Sequence, residues 1–98
     1  MKKRIYISGA ITGNENYKEE FAEAEKTIRA AGDIPINPAK LCDVMPESEW
    51  KAYMAVCIAI LAEGKIDVVY FLKSWRVSLG SRIEHNLAEN LNKQITFA

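Results

Sequence analysis

Short apolar runs alternate along this chain with longer segments in which apolar residues recur every three or four positions. The runs predict strands at residues 4–8, 34–36, 67–72 and 94–97. The longer segments predict helices from Asn16 to the glycine at position 32, over about residues 49–63 and over about residues 81–92. This alternation predicts an α/β fold, a three-layer α/β/α sandwich around a four-stranded parallel sheet of the flavodoxin or Rossmann-like type. Pro35 places the second strand at an edge.

The first predicted helix has a single apolar stripe, and polar residues occupy its other faces. We expect Asn16 to cap its N-terminus with Glu19 as the capping partner. The stripe consists of Tyr17, Phe21, Ala24, Ile28 and Ala31. Such a helix buries one face against a sheet.

The middle helix is apolar on more than one face. Trp50, Met54, Cys57 and Leu61 form one side, and the apolar run 52–62 also continues around the others. A helix of this kind is buried on several sides, which a thin domain cannot achieve alone. We therefore predict that residues 52–62 form a subunit interface, in a homodimer or a homotetramer.

Composition limits the classes of function. The 98 residues suit one domain, residues 1–98, and 13 basic residues balance 13 acidic ones, so no basic excess indicates a nucleic-acid polymer as partner. The longest apolar run, residues 52–62, is too short to cross a bilayer, and we expect no membrane partner. Cys42 and Cys57 form no C-x-x-C motif, and with a single histidine a metal site is not expected. We expect a cytoplasmic protein with reduced thiols and no cofactor.

The loops that follow the first three strands carry the candidate chemistry. They span residues 9–13, 37–38 and 73–80, and in a parallel sheet they converge on one edge. The glycines at 9 and 13 match neither the dinucleotide nor the P-loop spacing. Glu84 lies one turn into the last predicted helix, whose N-terminus favours an anion. The alternative is a capping box, Ser81-x-x-Glu84, in which the glutamate only satisfies the helix terminus.

The other candidates also have structural interpretations. Tyr6 can be a half-buried strand aromatic, Asp67 a solvent-facing residue at a strand start, and Trp75 a loop anchor. His85 shares a helix face with polar residues, which predicts a solvated side chain.

Taken together, three segments resemble the nucleoside 2-deoxyribosyltransferase superfamily. They are residues 5–13 (IYISGAITG), Asp67 ahead of an apolar strand, and residues 78–84 (SLGSRIE). The resemblance covers nearly the whole chain and is closest to the 2'-deoxynucleoside 5'-monophosphate N-glycosidases and to short bacterial and phage proteins. It implies that Glu84 attacks C1' of a deoxyribose and expels the base through a covalent glycosyl–enzyme. Tyr6 would orient this nucleophile, and Asp67 would act on the nucleobase.

The resemblance also implies a small-molecule nucleoside or nucleotide as partner. Its binding residues would come from the first loop and from the start of the last helix, with one residue from each neighbouring loop. They are Gly9, Ile11, Thr12, Gly13, Ser78 and Gly80, with Asn37 and Trp75.

This chain departs from the family pattern at several positions. Cys57 stands where short relatives have an aspartate, Thr12 where the monophosphate glycosidases have an arginine, and His85 follows the candidate nucleophile. Three hypotheses therefore stay open. They are an enzyme acting on the N-glycosidic bond, a non-catalytic module that binds a nucleotide, and a small interaction protein.

Overall fold

The computed structural model describes residues 2–45 and 49–98 and confirms the predicted α/β fold. Within these ranges the strands are β1 (Arg4–Ser8), β2 (Ile34–Ile36), β3 (Val68–Phe71) and β4 (Gln94–Phe97). The α-helices are α1 (Tyr17–Ala30), α2 (Leu41–Val44), α3 (Trp50–Ala62) and α4 (Leu79–Asn90). Single 3-10 helices, Pro38–Lys40 and Lys73–Val77, follow β2 and β3.

The four strands form one parallel sheet in the order β2-β1-β3-β4. The proline-containing strand β2 lies at an edge, as predicted. Tyr6 pairs with Val69 and Ser8 with Phe71, so these four side chains share one face of the sheet. Because the strands are parallel, the loops after β1, β2 and β3 meet at the same edge.

Each face of the sheet carries its own apolar cluster. On one face, Ile7 packs with Phe21, Ala24 and Ile28, so α1 presents its predicted stripe there. On the other face, a second cluster combines residues of β1 and β3 with residues of α3 and α4: Tyr6, Val69, Phe71, Cys57, Leu61 and Ala88. Helices therefore cover both faces, which is compatible with a three-layer sandwich.

Several boundaries differ from the predicted ones. Helix α4 begins at Leu79, ahead of the predicted Ser81, because Ser78 is its N-cap and accepts a hydrogen bond from the Ser81 N–H. Asn16 makes no side-chain cap at α1, and its own N–H instead donates to the Asn14 side chain. The short helix α2 occupies part of the predicted loop 37–47, of which residues 46 and 47 lie outside the described residues.

The outer face of α3 is open in this single chain. Ala52, Ala55, Ala59 and Ala62 are exposed there, while Met54, Cys57 and Leu61 are buried on the inner face. The predicted subunit interface therefore stays a prediction. No helix within the described ranges is both long and apolar enough to cross a membrane.

Candidate active site

Glu84 is a buried residue in the second turn of α4, and it is 5% exposed. The Tyr6 hydroxyl donates a hydrogen bond to Glu84 Oε2 at 2.5 Å. The Ser8 hydroxyl donates to Oε1 at 2.7 Å. Each carboxylate oxygen therefore has a donor from β1. The capping-box interpretation of Glu84 is wrong, because its bonds run to the sheet while the Ser78 hydroxyl caps the helix.

The position of the donors follows from strand periodicity. Successive residues of a strand point to opposite faces, so Tyr6 and Ser8 point together toward α4, and Ile7 points toward α1. On the helix, Ser81 and Glu84 are three residues apart and share the buried face of α4. The polar side chains of the two elements therefore meet at one place between the sheet and the helix.

Burial dominates the electrostatics of this place. Loss of solvent raises the pKa of Glu84 above the usual value for a glutamate, and the bonds from Tyr6 and Ser8 act in the opposite direction. The pKa of Tyr6 is raised well above its ordinary value by burial and by the nearby Glu84 charge. Tyr6 thus stays protonated and keeps its role as donor.

A cavity of about 460 Å³ opens over Glu84. Its size falls within the range of about 300–1,000 Å³ that is usual for small-molecule sites. The walls are largely aromatic or sulfur-containing, with the side chains Tyr17, Phe21, Trp50, Tyr53, Met45 and Met54. A ligand that combines a flat ring with polar groups fits such a lining, because Ser8, Ser78 and Ser81 also belong to it.

Most of the predicted site residues line this cavity. Tyr6 and Glu84 do so with the first loop and the start of α4, through Gly9, Ile11, Thr12, Ser78 and Gly80. Gly80 also allows close packing, since a Cβ there would lie 2.8 Å from Met54 Sδ. Gly9 allows close packing in the same way, because a Cβ added there would lie 2.9 Å from Leu72 Cδ1. These two glycines are therefore explained by packing as well as by a ligand.

Four of the predicted residues do not line the cavity. Asp67 is exposed at the N-terminal end of β3, where its carboxylate accepts the Arg4 N–H at 2.9 Å. In a parallel sheet this is the edge opposite the site, so Asp67 is not brought together with Glu84. Asn37 accepts the Ala39 N–H at 3.0 Å as the cap of a 3-10 helix, and Gly13 makes a turn with a φ of 77°.

Trp75 is the fourth, and it packs on α4 instead. Its ring stacks on His85 with the centroids 4.6 Å apart and the planes 15° apart. His85 is therefore not the solvated side chain that the sequence predicted. The indole packs on the core next to Phe71, with the two ring centroids 5.3 Å apart, and other aromatic residues line the cavity.

The cavity also contains residues that the sequence did not single out as ligands. Ser8 and Ser81 are buried beside Glu84, and Tyr53 donates its hydroxyl to the Pro38 carbonyl at 2.9 Å. Cys57 lines the wall, and burial raises the pKa of its thiol. The signal for Ser8 was its spacing, two residues after Tyr6 on the same face of β1.

Comparison with known proteins assigns the chain to a family. Residues 3–97 match the model of a family described as a domain of unknown function, DUF4406. The chain belongs to the DUF4406 family. No curated protein and no solved structure gave a match. Since the DUF4406 description names no activity, the function of this member must be argued from its site.

The described part of this DUF4406 chain contains no set of side chains that could bind a metal ion. No group of three or more His, Cys, Asp or Glu side chains lies close enough there to hold an ion. The chemistry that the described cavity offers is that of one carboxylate, several hydroxyls, two thiols and an apolar wall.

Proposed function

We propose that this protein cleaves or exchanges the N-glycosidic bond of a 2'-deoxynucleoside or its 5'-monophosphate, with Glu84 as the nucleophile. The observation that carries the proposal is the placement of Glu84. The residue is 5% exposed and its carboxylate is hydrogen-bonded through both oxygens, yet it lines a cavity of about 460 Å³. A buried carboxylate destabilises a fold, and one that lines a ligand-sized cavity is therefore a candidate catalytic residue.

The proposed reaction has two steps. An oxygen of ionised Glu84 attacks C1' of the deoxyribose, and the bond from C1' to the base nitrogen breaks. Its electron pair leaves with the base, which takes a proton from solvent water. Water or a second base then attacks C1', gives up a proton to solvent, and releases Glu84 as a carboxylate. The two displacements retain the configuration at C1', as in retaining glycosidases.

The lining of the cavity suits this substrate class. Aromatic side chains such as Tyr17, Trp50 and Tyr53 give a nucleobase flat surfaces to stack on. Ser78, Gly80 and the N-terminal end of α4 also line the cavity, and polar or anionic groups of the sugar are favoured there. Tyr6 and Ser8 hold Glu84 at the same cavity.

A non-catalytic nucleotide-binding module is the second candidate. Two-carboxylate glycosidases use a second acid to protonate the leaving group. Glu84 carries the only carboxylate among the described residues that line the cavity, and Asp67 lies at the opposite edge of the sheet. This observation favours binding without turnover.

Base release separates the two candidates. The protein is incubated with each deoxynucleoside and each 5'-monophosphate, with and without an acceptor base, and free base is followed by chromatography. We expect release by the native protein, no release by Glu84→Gln, and native release by Glu23→Gln, a matched change on the exposed side of α1. Thermal stabilisation by a nucleotide with no base released would support the binding module instead.

We also propose that the chain associates with itself through the outer face of α3. Exposed Ala52, Ala55, Ala59 and Ala62 lie three or four residues apart and make that face smooth and apolar. A homodimer or homotetramer would bury it. A cytoplasmic location is part of the same proposal, in keeping with Cys42 and Cys57, which are both free thiols.

A further inference from the structure

Two buried serines stand beside the candidate nucleophile. Ser8 is 1% exposed and Ser81 is 2% exposed. Together with Glu84 and the buried hydroxyl of Tyr6, they form one hydrogen-bonded group. Polar groups that are buried without partners destabilise a fold, so grouping them satisfies each one.

The direction of these hydrogen bonds follows from the charge of Glu84. An ionised carboxylate can only accept, so the Ser8 hydroxyl proton must point to Glu84 Oε1, 2.7 Å away. Ser8 Oγ and Ser81 Oγ lie 2.5 Å apart. Because the Ser8 proton is already used, Ser81 must be the donor in this bond. The order is therefore Ser81 to Ser8 to Glu84.

We propose that Ser8 and Ser81 are positioning residues, forming a hydroxyl relay that holds Glu84 Oε1 in place and favours the ionised carboxylate. This inference rests on the proposed function, in which ionised Glu84 attacks the sugar. Ser8 acts directly on the carboxylate. Ser81 acts through Ser8, because its donated proton fixes the orientation of the Ser8 hydroxyl and strengthens its bond to Glu84.

The relay is distinct from the Tyr6 contact. Tyr6 donates to Oε2 and Ser8 to Oε1, so each donor restrains a different oxygen. Ser81 comes from the same helix as Glu84, whereas Ser8 comes from β1. The relay therefore joins helix and sheet at the carboxylate and fixes its position relative to both elements.

The test compares Ser8→Ala and Ser81→Ala with the native protein. Where the native protein releases base, kcat is expected to fall about ten- to hundredfold in Ser8→Ala and by less in Ser81→Ala, with KM nearly unchanged. The ionisation of Glu84 is followed independently by NMR of carboxyl-labelled glutamate. Its midpoint should move to higher pH in both variants, and further in Ser8→Ala.

A buried change on the other face of the sheet is the control. Ile28→Val should lower the melting temperature and leave the Glu84 midpoint unchanged, because Ile28 lies on α1 and packs with Ile7 on the opposite face of the sheet. An unchanged midpoint in Ser8→Ala and Ser81→Ala would overturn the relay, as would the same shift in Ile28→Val. If the native protein releases no base from any substrate, the proposed function fails, and the NMR titration alone decides on the relay.

Discussion

Removing one hydroxyl, in Tyr6→Phe, tests whether Glu84 is a charged group held by its donors. The Tyr6 ring is fully buried, and phenylalanine keeps that packing while losing the 2.5 Å bond to Oε2. A hydrogen bond to a charged group contributes about 1.5–3 kcal/mol to stability, and a bond between neutral groups about 0.5–1.5 kcal/mol. The loss of stability should therefore depend on whether Glu84 is ionised.

The direction in which this loss of stability changes with pH follows from the raised pKa of Glu84. A carboxyl whose pKa is higher in the folded chain contributes stability that is fully present below its unfolded pKa and is lost as pH rises through the folded value. Tyr6→Phe removes a bond that favours the ionised form, so it raises the folded pKa of Glu84 further. The stability difference between native protein and variant should therefore grow with pH, by about 1 kcal/mol in all.

Urea unfolding at about pH 5 and about pH 8 measures this growth. In a chain of this size, 1 kcal/mol corresponds to a change of about 4–8 °C in melting temperature, which thermal unfolding also resolves. Tyr53→Phe is the matched control, since its hydroxyl donates to the neutral Pro38 carbonyl and its loss should not depend on pH. Equal destabilisation by Tyr6→Phe at both pH values, or a pH dependence that persists when Glu84→Gln is added, would refute the reasoning.

Three further predictions concern the same fold. Base release should fall as pH drops through the pKa of Glu84, at a higher pH than an ordinary glutamate would give, and a pH–rate profile measures this limb. Gly9→Ala should lower the free energy of unfolding by about 1–3 kcal/mol, because Leu72 occupies the space that the new Cβ needs. Gly64→Ala should raise it by about 0.4–1 kcal/mol, because no atom lies within 4 Å of the new Cβ. Urea unfolding measures both changes. Ile58→Glu should give monomers or insoluble protein, and light scattering that shows an unchanged oligomer would count against α3 as the interface.

The sheet could be predicted because its signals are local. Each strand is a short apolar run, and alternation with helices leaves a parallel arrangement as the simplest way to bury them. Tyr6 and Ser8 share a face because the period of a strand is two residues, a signal that is present in the sequence although it was not used to select Ser8. Even the position of Glu84 near the strand ends required only the order of elements and the start of a helix.

The predictions that were wrong concern features that depend on tertiary contacts. The start of α4 is the exception, because the hydrogen bond from the Ser81 N–H to the Ser78 hydroxyl, which places it at Leu79, is local. His85 has polar neighbours on its own helix, and the indole that covers it comes from the loop after β3. No period within α4 could show that contact.

Asp67 lies away from Glu84 for a different reason. A resemblance assigns a role to a position in the sequence, but a role requires a place in space. The residue before a parallel strand lies at the edge opposite the loops that follow the strands. Here Asp67 bonds to the Arg4 N–H at that opposite edge. The order of elements was sufficient to exclude it from the Glu84 site before any side chain was placed.

The effect of Glu84 on stability, compared with its effect on base release, distinguishes a catalytic site from one that only binds. Burial raises its pKa, so ionised Glu84 opposes folding at neutral pH, and a neutral side chain of the same shape should fit better. Glu84→Gln keeps an oxygen that accepts from Tyr6, and its amide can donate to Ser8, so the local bonds survive the change. A variant that is more stable and yet releases no base would show that the chain retains the charge for chemistry, at the expense of stability. A variant that is more stable and binds nucleotide as the native protein does, where the native protein also releases no base, would instead identify the module that only binds.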